Sequence, residues 1–340
     1  MRYVIVGAGA IGGGIAARLA QHSVEHSPLL IARGENARAI MRGGLRFRSP
    51  DDDASVPVAI ATTPADVTLR PDDVLVFATK THQVHAALLE WVDQAVTDAG
   101  GRVLGNAGEL LPVFMALNGV ESERVAARLF RRVFAVCVWM PAVHIAPGEF
   151  AVRIAPVSGM FIIGRYSGVR SDGDDELLST LRDDWQASTF RIHAVNDVMR
   201  WKYAKLIGNL GNAAQALVGA AVDSGDVVDM LRAEGRAVLE HAGIATASDD
   251  EEAALRGDVF SIRPIAGLTG ELGGSSWQSL VRGSGSIETD YLNGEIVMLS
   301  RLNGMDAPAN EAVQNAARAA ARLRLQPGSM SIDELRALMR

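Results

Sequence analysis

The sequence predicts an α/β N-terminal part followed by an all-helical C-terminal part, on three observations. Residues 1–20 read MRYVIVGAGAIGGGIAARLA, a β-branched apolar strand running into a glycine turn and then a helical pattern. Short apolar strands then alternate with helical stretches as far as His193. From Val195 onward no convincing strand pattern remains, and helical spacing runs to the C-terminus. The boundary is therefore placed near His193, giving units 1–193 and 194–340. No Pro/Ser-rich linker separates them, so two closely meeting domains with a cleft between them are expected.

The opening motif carries the first functional reading. Strand, Gly-x-Gly-x-x-Gly and helix, in that order, form a dinucleotide-binding α/β turn. Gly7 allows the tight turn, Gly9 lets a pyrophosphate approach the backbone, and Gly12 lets the helix pack closely on the strand. The free N–H groups at the start of the helix, including those of Ala10 and Ile11, then face the phosphates at its positive end.

Composition narrows the remaining classes. The chain has 340 residues, 48% hydrophobic and 21% charged, enough for two cored domains. A net charge of −7 argues against nonspecific binding to nucleic acid or to an anionic membrane. The single cysteine, Cys137, has no intrachain disulfide partner and sits in an apolar run, as a core residue does. No secretory signal precedes the first strand and no apolar run reaches spanning length, so a cytoplasmic location is expected.

In chain order, Ser27–Ala32 reads as a second strand ending at Arg33. An acid at that strand end bonds a ribose 2′-hydroxyl, whereas an arginine accommodates a 2′-phosphate. Arg33, with Arg38 nearby and Glu35 beyond the turn, favours NADP(H) over NAD; the bland alternative is a solvated loop arginine. Leu45–Ala61 reads as a hairpin with the solvated turn Asp51-Asp52-Asp53. Val74–Ala78 is a buried strand followed by a helix through about Ala95, which puts Lys80 at a carboxyl strand end where open sheets bind ligands. Gly100–Glu109 reads as a glycine-rich loop. Pro112–Leu117 delivers Asn118-Gly119, either a partner for a nicotinamide amide or substrate carbonyl, or simple turn chemistry. Val133–Met140, Ala151–Ile154 and Met160–Ile163 are expected to finish the sheet, followed by a helix over Asp174–Trp185 and a last strand at Thr189–His193.

One helix, Asn196 to about Val222, dominates the second half. Beyond Lys205 it reads LIGNLGNAAQALVGAAV, too apolar for a solvated surface. Lys202, Lys205, Asn209 and Asn212 nevertheless fall on one face of it, and a buried lysine is rare unless paired or functional. Lys202, with Arg200 in the more polar opening turns, is expected to reach solvent. Farther on, Ser276 either bonds a substrate oxygen or caps the helix beginning near Trp277. Glu288 either faces the lysine stripe or favours a helix N-terminus.

Taken together, GAGAIG at Gly7–Gly12, TKTHQ around Lys80, LNG around Asn118, KLIGN at Lys205–Asn209 and SSWQ…ETDYLNGE at Ser275–Glu295 resemble the ketopantoate reductase (2-dehydropantoate 2-reductase) family. The resemblance spans almost the whole chain. It implies a Rossmann-like N-terminal domain, a helical C-terminal domain, and NADPH-dependent reduction of 2-dehydropantoate to pantoate in pantothenate biosynthesis. It implies further that Lys205 is the catalytic lysine and Glu288 an active-site glutamate near the nicotinamide. Asn118 then lies between cofactor and substrate, Asn209 and Ser276 bind substrate, and Lys80 touches the cofactor. The family often carries a second asparagine four residues after the Asn209 position; here Ala213 stands there and Asn212 precedes it.

Hydride transfer to a 2-oxo carbon leaves an alkoxide, which a lysine ammonium can stabilise and protonate without any metal. A carboxylate beside Lys205 would keep it charged. Two other readings stand: reduction of another 2-oxo acid on the same scaffold, and a noncatalytic NADP-binding sensor. The expected partner is a small 2-oxo acid, with a homodimer compatible with the architecture.

Overall fold

The computed structural model describes residues 1–22, 27–268, 273–283 and 285–339. They form two compact units, residues 1–199 with 249–268, and residues 200–248 with those described after 268.

In the first unit an eight-stranded sheet runs Ala59–Ala61, Leu29–Ile31, Arg2–Val6, Asp73–Phe77, Pro112–Met115, Arg132–Trp139, Gly159–Arg165, Phe190–Ala194. The first six are mutually parallel; Gly159–Arg165 runs antiparallel to its neighbour and Phe190–Ala194 parallel to Gly159–Arg165. Taken in chain order, the six parallel strands lie 3-2-1-4-5-6, the doubly wound dinucleotide-binding arrangement. Their apolar continuity follows from burial on both faces: Tyr3, Val4, Ile5, Leu75, Val76 and Phe77 are all shielded.

A second sheet, Ala142–Ala146, Glu149–Val152, Leu45–Ser49 and Asp52–Val56, lies against the helix Ala10–His22. Ala151 therefore belongs to this sheet and does not finish the main one, while Ile154–Pro156 pairs with Phe260–Ile262. That last strand also corrects the reading of a strand-free C-terminal half. Only three residues long and completed from a partner about a hundred positions away, it leaves little periodicity to read.

The helix is closely packed on both sides, which accounts for three consecutive glycines where each would ordinarily weaken a helix. A Cβ on Gly12 would sit 2.0 Å from the Gly7 carbonyl oxygen, one on Gly13 2.9 Å from the Phe150 ring, and one on Gly14 2.2 Å from Met140 Cε. On the same helix the buried Arg18 donates to Ser158 Oγ at 2.8 Å and to Asp52 Oδ2 at 2.9 Å, with its guanidinium 4.3 Å from the Phe47 ring centroid. The three aspartates are thus not a merely solvated turn: Asp51 pairs with Arg263, Asp52 with Arg18, and Asp53 with Arg46 and Arg48.

Two further local readings change. The helix after Lys80 runs Val84–Val92 and stops before Ala95, which enters a small hairpin of Ala95–Thr97 with Val103–Asn106. Gly100–Glu109 is accordingly a turn, a strand and a helical turn, capped where Asn106 Oδ1 accepts from Glu109 N at 2.9 Å.

The second unit is helical. Val198–Asn209 leads into it, followed by Gly211–Val218, Gly225–His241, Ser275–Val281, Asn293–Leu302, Pro308–Arg322 and Ile332–Leu338. Its core gathers Leu206, Leu210, Leu217, Leu231, Val238, Ile296 and Val313. The long helix expected from Asn196 to Val222 is broken at Leu210. Glycines at 208 and 211 weaken helix continuity there, and packing fixes the break: a Cβ on Gly211 would lie 2.8 Å from Val228 Cγ2, and one on Gly235 2.6 Å from Leu210 Cδ1. No helix among the described residues is long and apolar enough to cross a membrane.

Candidate active site

In the first unit the chain reverses direction across the sheet between Arg2–Val6 and Asp73–Phe77, the position at which open sheets bind ligands. Both strands deliver loops to the same carboxyl edge. Gly7 follows the first with φ +113°, and a Cβ there would come within 2.9 Å of the Ala78 carbonyl oxygen. Gly9 behaves differently: the nearest atom to a Cβ would be Ala78 O at 3.9 Å, so the backbone is open above it. The helix begins with Gly13 N donating to Gly9 O at 2.8 Å, which leaves the N–H groups of Ala10, Ile11 and Gly12 without intrahelical acceptors.

Thr79, two residues after the strand Asp73–Phe77, lies against the Gly7 position and has a buried Oγ1 with no hydrogen-bond partner. A tight glycine turn, an open approach at Gly9, a helix N-terminus and this unused hydroxyl fit the pyrophosphate of a dinucleotide. Lys80, half-buried, leads into the single turn Thr81–Gln83, and Asn118 stands half-buried beyond Pro112–Met115, before Gly119 at φ +77°.

Sequence reasoning missed Asn36. Its Nδ2 donates to the Ala8 carbonyl at 2.9 Å, fixing the middle of the glycine loop. Its Oδ1 accepts from Gly148 N at 3.0 Å and lies 3.0 Å from His144 Nε2, tying that loop to the second sheet. The signal, an asparagine in the first turn of the helix after the second strand, is too common to single out.

Arg33 does stand just beyond the second strand, Leu29–Ile31, and an acid remote in sequence meets it there. It forms an ion pair with Glu90 of the helix Val84–Val92, and its Nε approaches the Thr62 carbonyl at 3.4 Å. Glu35, the acid nearest in sequence, is taken instead by Arg38. Fifty-seven residues separate Arg33 from Glu90, so no local pattern announces the pair.

In the second unit Lys205 is half-buried on the Val198–Asn209 helix, one turn before Asn209. Lys202 does not reach solvent as expected; only 3% of it is exposed. Despite the break at Leu210, Asn212 Nδ2 donates to Asn209 Oδ1 at 3.3 Å. Asn212 Oδ1 lies 3.6 Å from where a Cβ on Gly274 would be, at the start of the Ser275–Val281 helix.

That helix is preceded by Gly274 with no side-chain cap, so Ser276 is inside it and caps nothing. Ser276 is 2% exposed, and its Oγ has no hydrogen-bond partner. Asn209 Nδ2 is likewise buried without one. Buried polar atoms are ordinarily satisfied, so these two side chains have hydrogen-bonding capacity that the protein itself does not use.

Glu288 opens a single turn, Glu288–Tyr291, ahead of Asn293–Leu302. Desolvation lowers the Arg282 pKa, and the charge of Glu288 opposes that fall. The next residue, Thr289, donates through Oγ1 to Asn293 Oδ1 at 3.1 Å, while Asn293 Nδ2 donates to the Leu210 carbonyl and to Asn310 Oδ1, each at 3.0 Å. Asn310 Nδ2 donates in turn to Glu234 Oε2 at 2.7 Å. Thr289, Asn293 and Asn310 are fully buried. The network thus anchors the residue after Glu288 to the residue after Asn209. No group of three or more His, Cys, Asp or Glu among the described residues is arranged to hold a metal ion.

The model of Ketopantoate reductase PanE/ApbA matches residues 3–168, and that of Ketopantoate reductase PanE/ApbA C terminal matches residues 197–321. A 2-dehydropantoate 2-reductase of Mesorhizobium japonicum is 29% identical over 328 residues, covering 92% of this chain and 95% of the relative. A PanE/ApbA family ketopantoate reductase from Ralstonia eutropha, known from its crystal structure, aligns with a TM-score of 0.73 at 25% identity, over 95% of this chain and 99% of that one. D-mandelate dehydrogenase, solved with NADH and anilino(oxo)acetate, shares the fold with a TM-score of 0.75 at 19% identity, over 95% and 99% of the two chains. Matched in both its α/β and its helical parts, the chain belongs to the ketopantoate reductase family.

Proposed function

We propose that the chain catalyses NADPH-dependent reduction of 2-dehydropantoate to pantoate, a step of pantothenate biosynthesis, with Lys205 as proton donor. The observation that carries the substrate side is the pair of buried, unpartnered polar atoms, Asn209 Nδ2 and Ser276 Oγ. Lys205 lies one turn from the first of them. The cofactor side rests on the open Gly9 backbone, the unpaired Thr79 hydroxyl and Arg33.

When bound, the dihydronicotinamide supplies the hydride, and the chain does the rest. Gly9, Ala10, Ile11 and Gly12 present N–H groups to the pyrophosphate, with Lys80 and Asn118 toward the cofactor and substrate. Asn209 Nδ2 donates to a substrate carboxylate or hydroxyl, and Ser276 Oγ donates to or accepts from another substrate oxygen, which fixes the orientation of the 2-oxo group. The Lys205 ammonium donates a hydrogen bond to the carbonyl oxygen and releases its Nζ proton to the alkoxide as it forms. Glu288 supports the positive charge on Lys205.

A second reading, reduction of a different 2-oxo acid, is favoured by one feature. The position four residues after Asn209 is the fully buried Ala213, and Asn212 spends its amide on Asn209. Oxidation of NADPH by a panel of branched, hydroxylated and aromatic 2-oxo acids, compared by kcat/KM, decides between them. Lys205→Ala should lower kcat by about a hundredfold or more while leaving NADPH binding intact. NADPH bound without turnover of any 2-oxo acid would instead favour a sensor.

A further inference from the structure

We propose that Glu90 sets the discrimination between NADPH and NADH by competing with a 2′-phosphate for Arg33. The inference rests on the dinucleotide reading of the first unit.

Arg33 lies just beyond the strand beside Arg2–Val6 and precedes the helix Gly34–Gly43, to which its side chain makes no capping bond. The guanidinium, which has donors only and cannot cap that helix, pairs with Glu90, while its Nε approaches the Thr62 carbonyl at 3.4 Å. A guanidinium that meets a carboxylate in this way can meet a phosphate with the same donors, and the phosphate, carrying more charge and more acceptor oxygens, is the stronger partner.

Arg33 is 59% exposed and Glu90 39%, so water screens their pair and leaves it weak. A 2′-phosphate can displace it, whereas the uncharged 2′-hydroxyl of NADH has little to gain by doing so. Displacement does not remove Glu90, whose helix is packed through Val84, Leu88 and Trp91 in the core. Its carboxylate then stands near the incoming phosphate and repels it. Glu90 thus penalises the phosphorylated cofactor twice, by holding Arg33 beforehand and by like-charge repulsion afterwards, and NADH neither time. The residue trims a preference that Arg33 creates.

Binding measures this directly. Titration of the full chain with NADPH, NADH, 2′,5′-ADP and 5′-AMP would compare wild type, Glu90→Gln, Arg33→Ala and the double variant. Glu90→Gln should tighten NADPH and 2′,5′-ADP about three- to fivefold and leave NADH and 5′-AMP within about twofold. In the Arg33→Ala background the part of the gain that comes from releasing Arg33 should vanish, leaving only the relief of repulsion, about twofold or less. The proposal is overturned if Glu90→Gln leaves the ratio of NADPH to NADH affinity unchanged, or if the full gain survives without Arg33. A wild type that prefers NADH would refute the NADPH reading alone, because the shift in ratio on Glu90→Gln still reads out Glu90.

Discussion

The side-chain amide of Asn293 donates to the backbone carbonyl of Leu210 at 3.0 Å, bridging 83 residues of sequence. That carbonyl lies at the break between the two helices bearing Asn209 and Asn212, so one buried amide serves both the break and Thr289 beside Glu288. Asn293→Ala should strand three groups at once, the Leu210 carbonyl, Asn310 Oδ1 and the Thr289 hydroxyl. At about 1–3 kcal/mol for each buried group left unsatisfied, the urea midpoint should fall clearly. At temperatures where the variant stays folded, kcat should fall more than KM rises. An unchanged midpoint would show that the network carries no stability.

Gly9 and Gly12 should respond in opposite ways to the same added methyl group. Gly12→Ala places a Cβ 2.0 Å from the Gly7 carbonyl oxygen, a backbone clash relieved only by parting helix and strand. It should destabilise the first unit by about 3 kcal/mol or more. Gly9→Ala meets nothing closer than 3.9 Å and should fold as wild type, yet weaken dinucleotide binding at least tenfold by blocking the approach to the backbone. Thermal unfolding beside a cofactor titration separates the two. Tight binding by Gly9→Ala would mean the pyrophosphate sits elsewhere.

Ser276→Ala should be neutral or slightly stabilising, because its hydroxyl is buried without a partner and its removal strands nothing. If Ser276 holds substrate, KM for the 2-oxo acid should rise about fivefold or more with little change in the affinity for NADPH. A loss of stability with an unchanged KM would make it an ordinary core serine.

His193 supplies a pH dependence. Burial, and then the charge of Arg191, lower its pKa from the ordinary 6.5, and its Nε2 has no hydrogen-bond partner. The unfolded chain therefore binds the proton more readily than the folded one. The sign follows: stability is full above about pH 6.5 and is lost as pH falls through the lowered folded pKa. His22, lowered by burial and by Arg18, adds a slope of the same sign. His193→Gln should flatten part of the fall in urea midpoint between about pH 7 and pH 5 and leave the His22 part. The same slope in the variant would remove His193 from the account.

The glycine turn could be read from sequence because its constraints are local: Gly7, Gly9 and Gly12 answer to neighbours within a few residues or to the adjacent strand. Lys205, Asn209 and Asn212 stood out as polar side chains in an apolar stretch, but the break at Leu210 that puts Asn212 on a second helix did not. What sequence hid was settled at long range. Gly13 and Gly14 are small because of Phe150 and Met140, on elements of a second sheet that short alternating strands do not announce. Lys202 looked solvated by its polar neighbours but is covered. Arg33 looked unopposed because Glu90 comes from another helix. Ser276 remained ambiguous between ligand and cap until the helix start fell on Ser275.

The return of residues 249–268 to the first unit bears on how the protein is made. A nascent chain that has emerged only as far as residue 199 possesses every strand of its main sheet, yet Ile154–Pro156 still shows an open ladder. Until Phe260–Ile262 leaves the ribosome about sixty residues later, that edge is exposed for chaperones to shield or for another chain to invade. A fragment cut at the apparent junction would keep the same raw edge permanently. Expression of the cofactor-binding part alone should therefore favour aggregation, and supplying the 249–268 segment in the same polypeptide should relieve it.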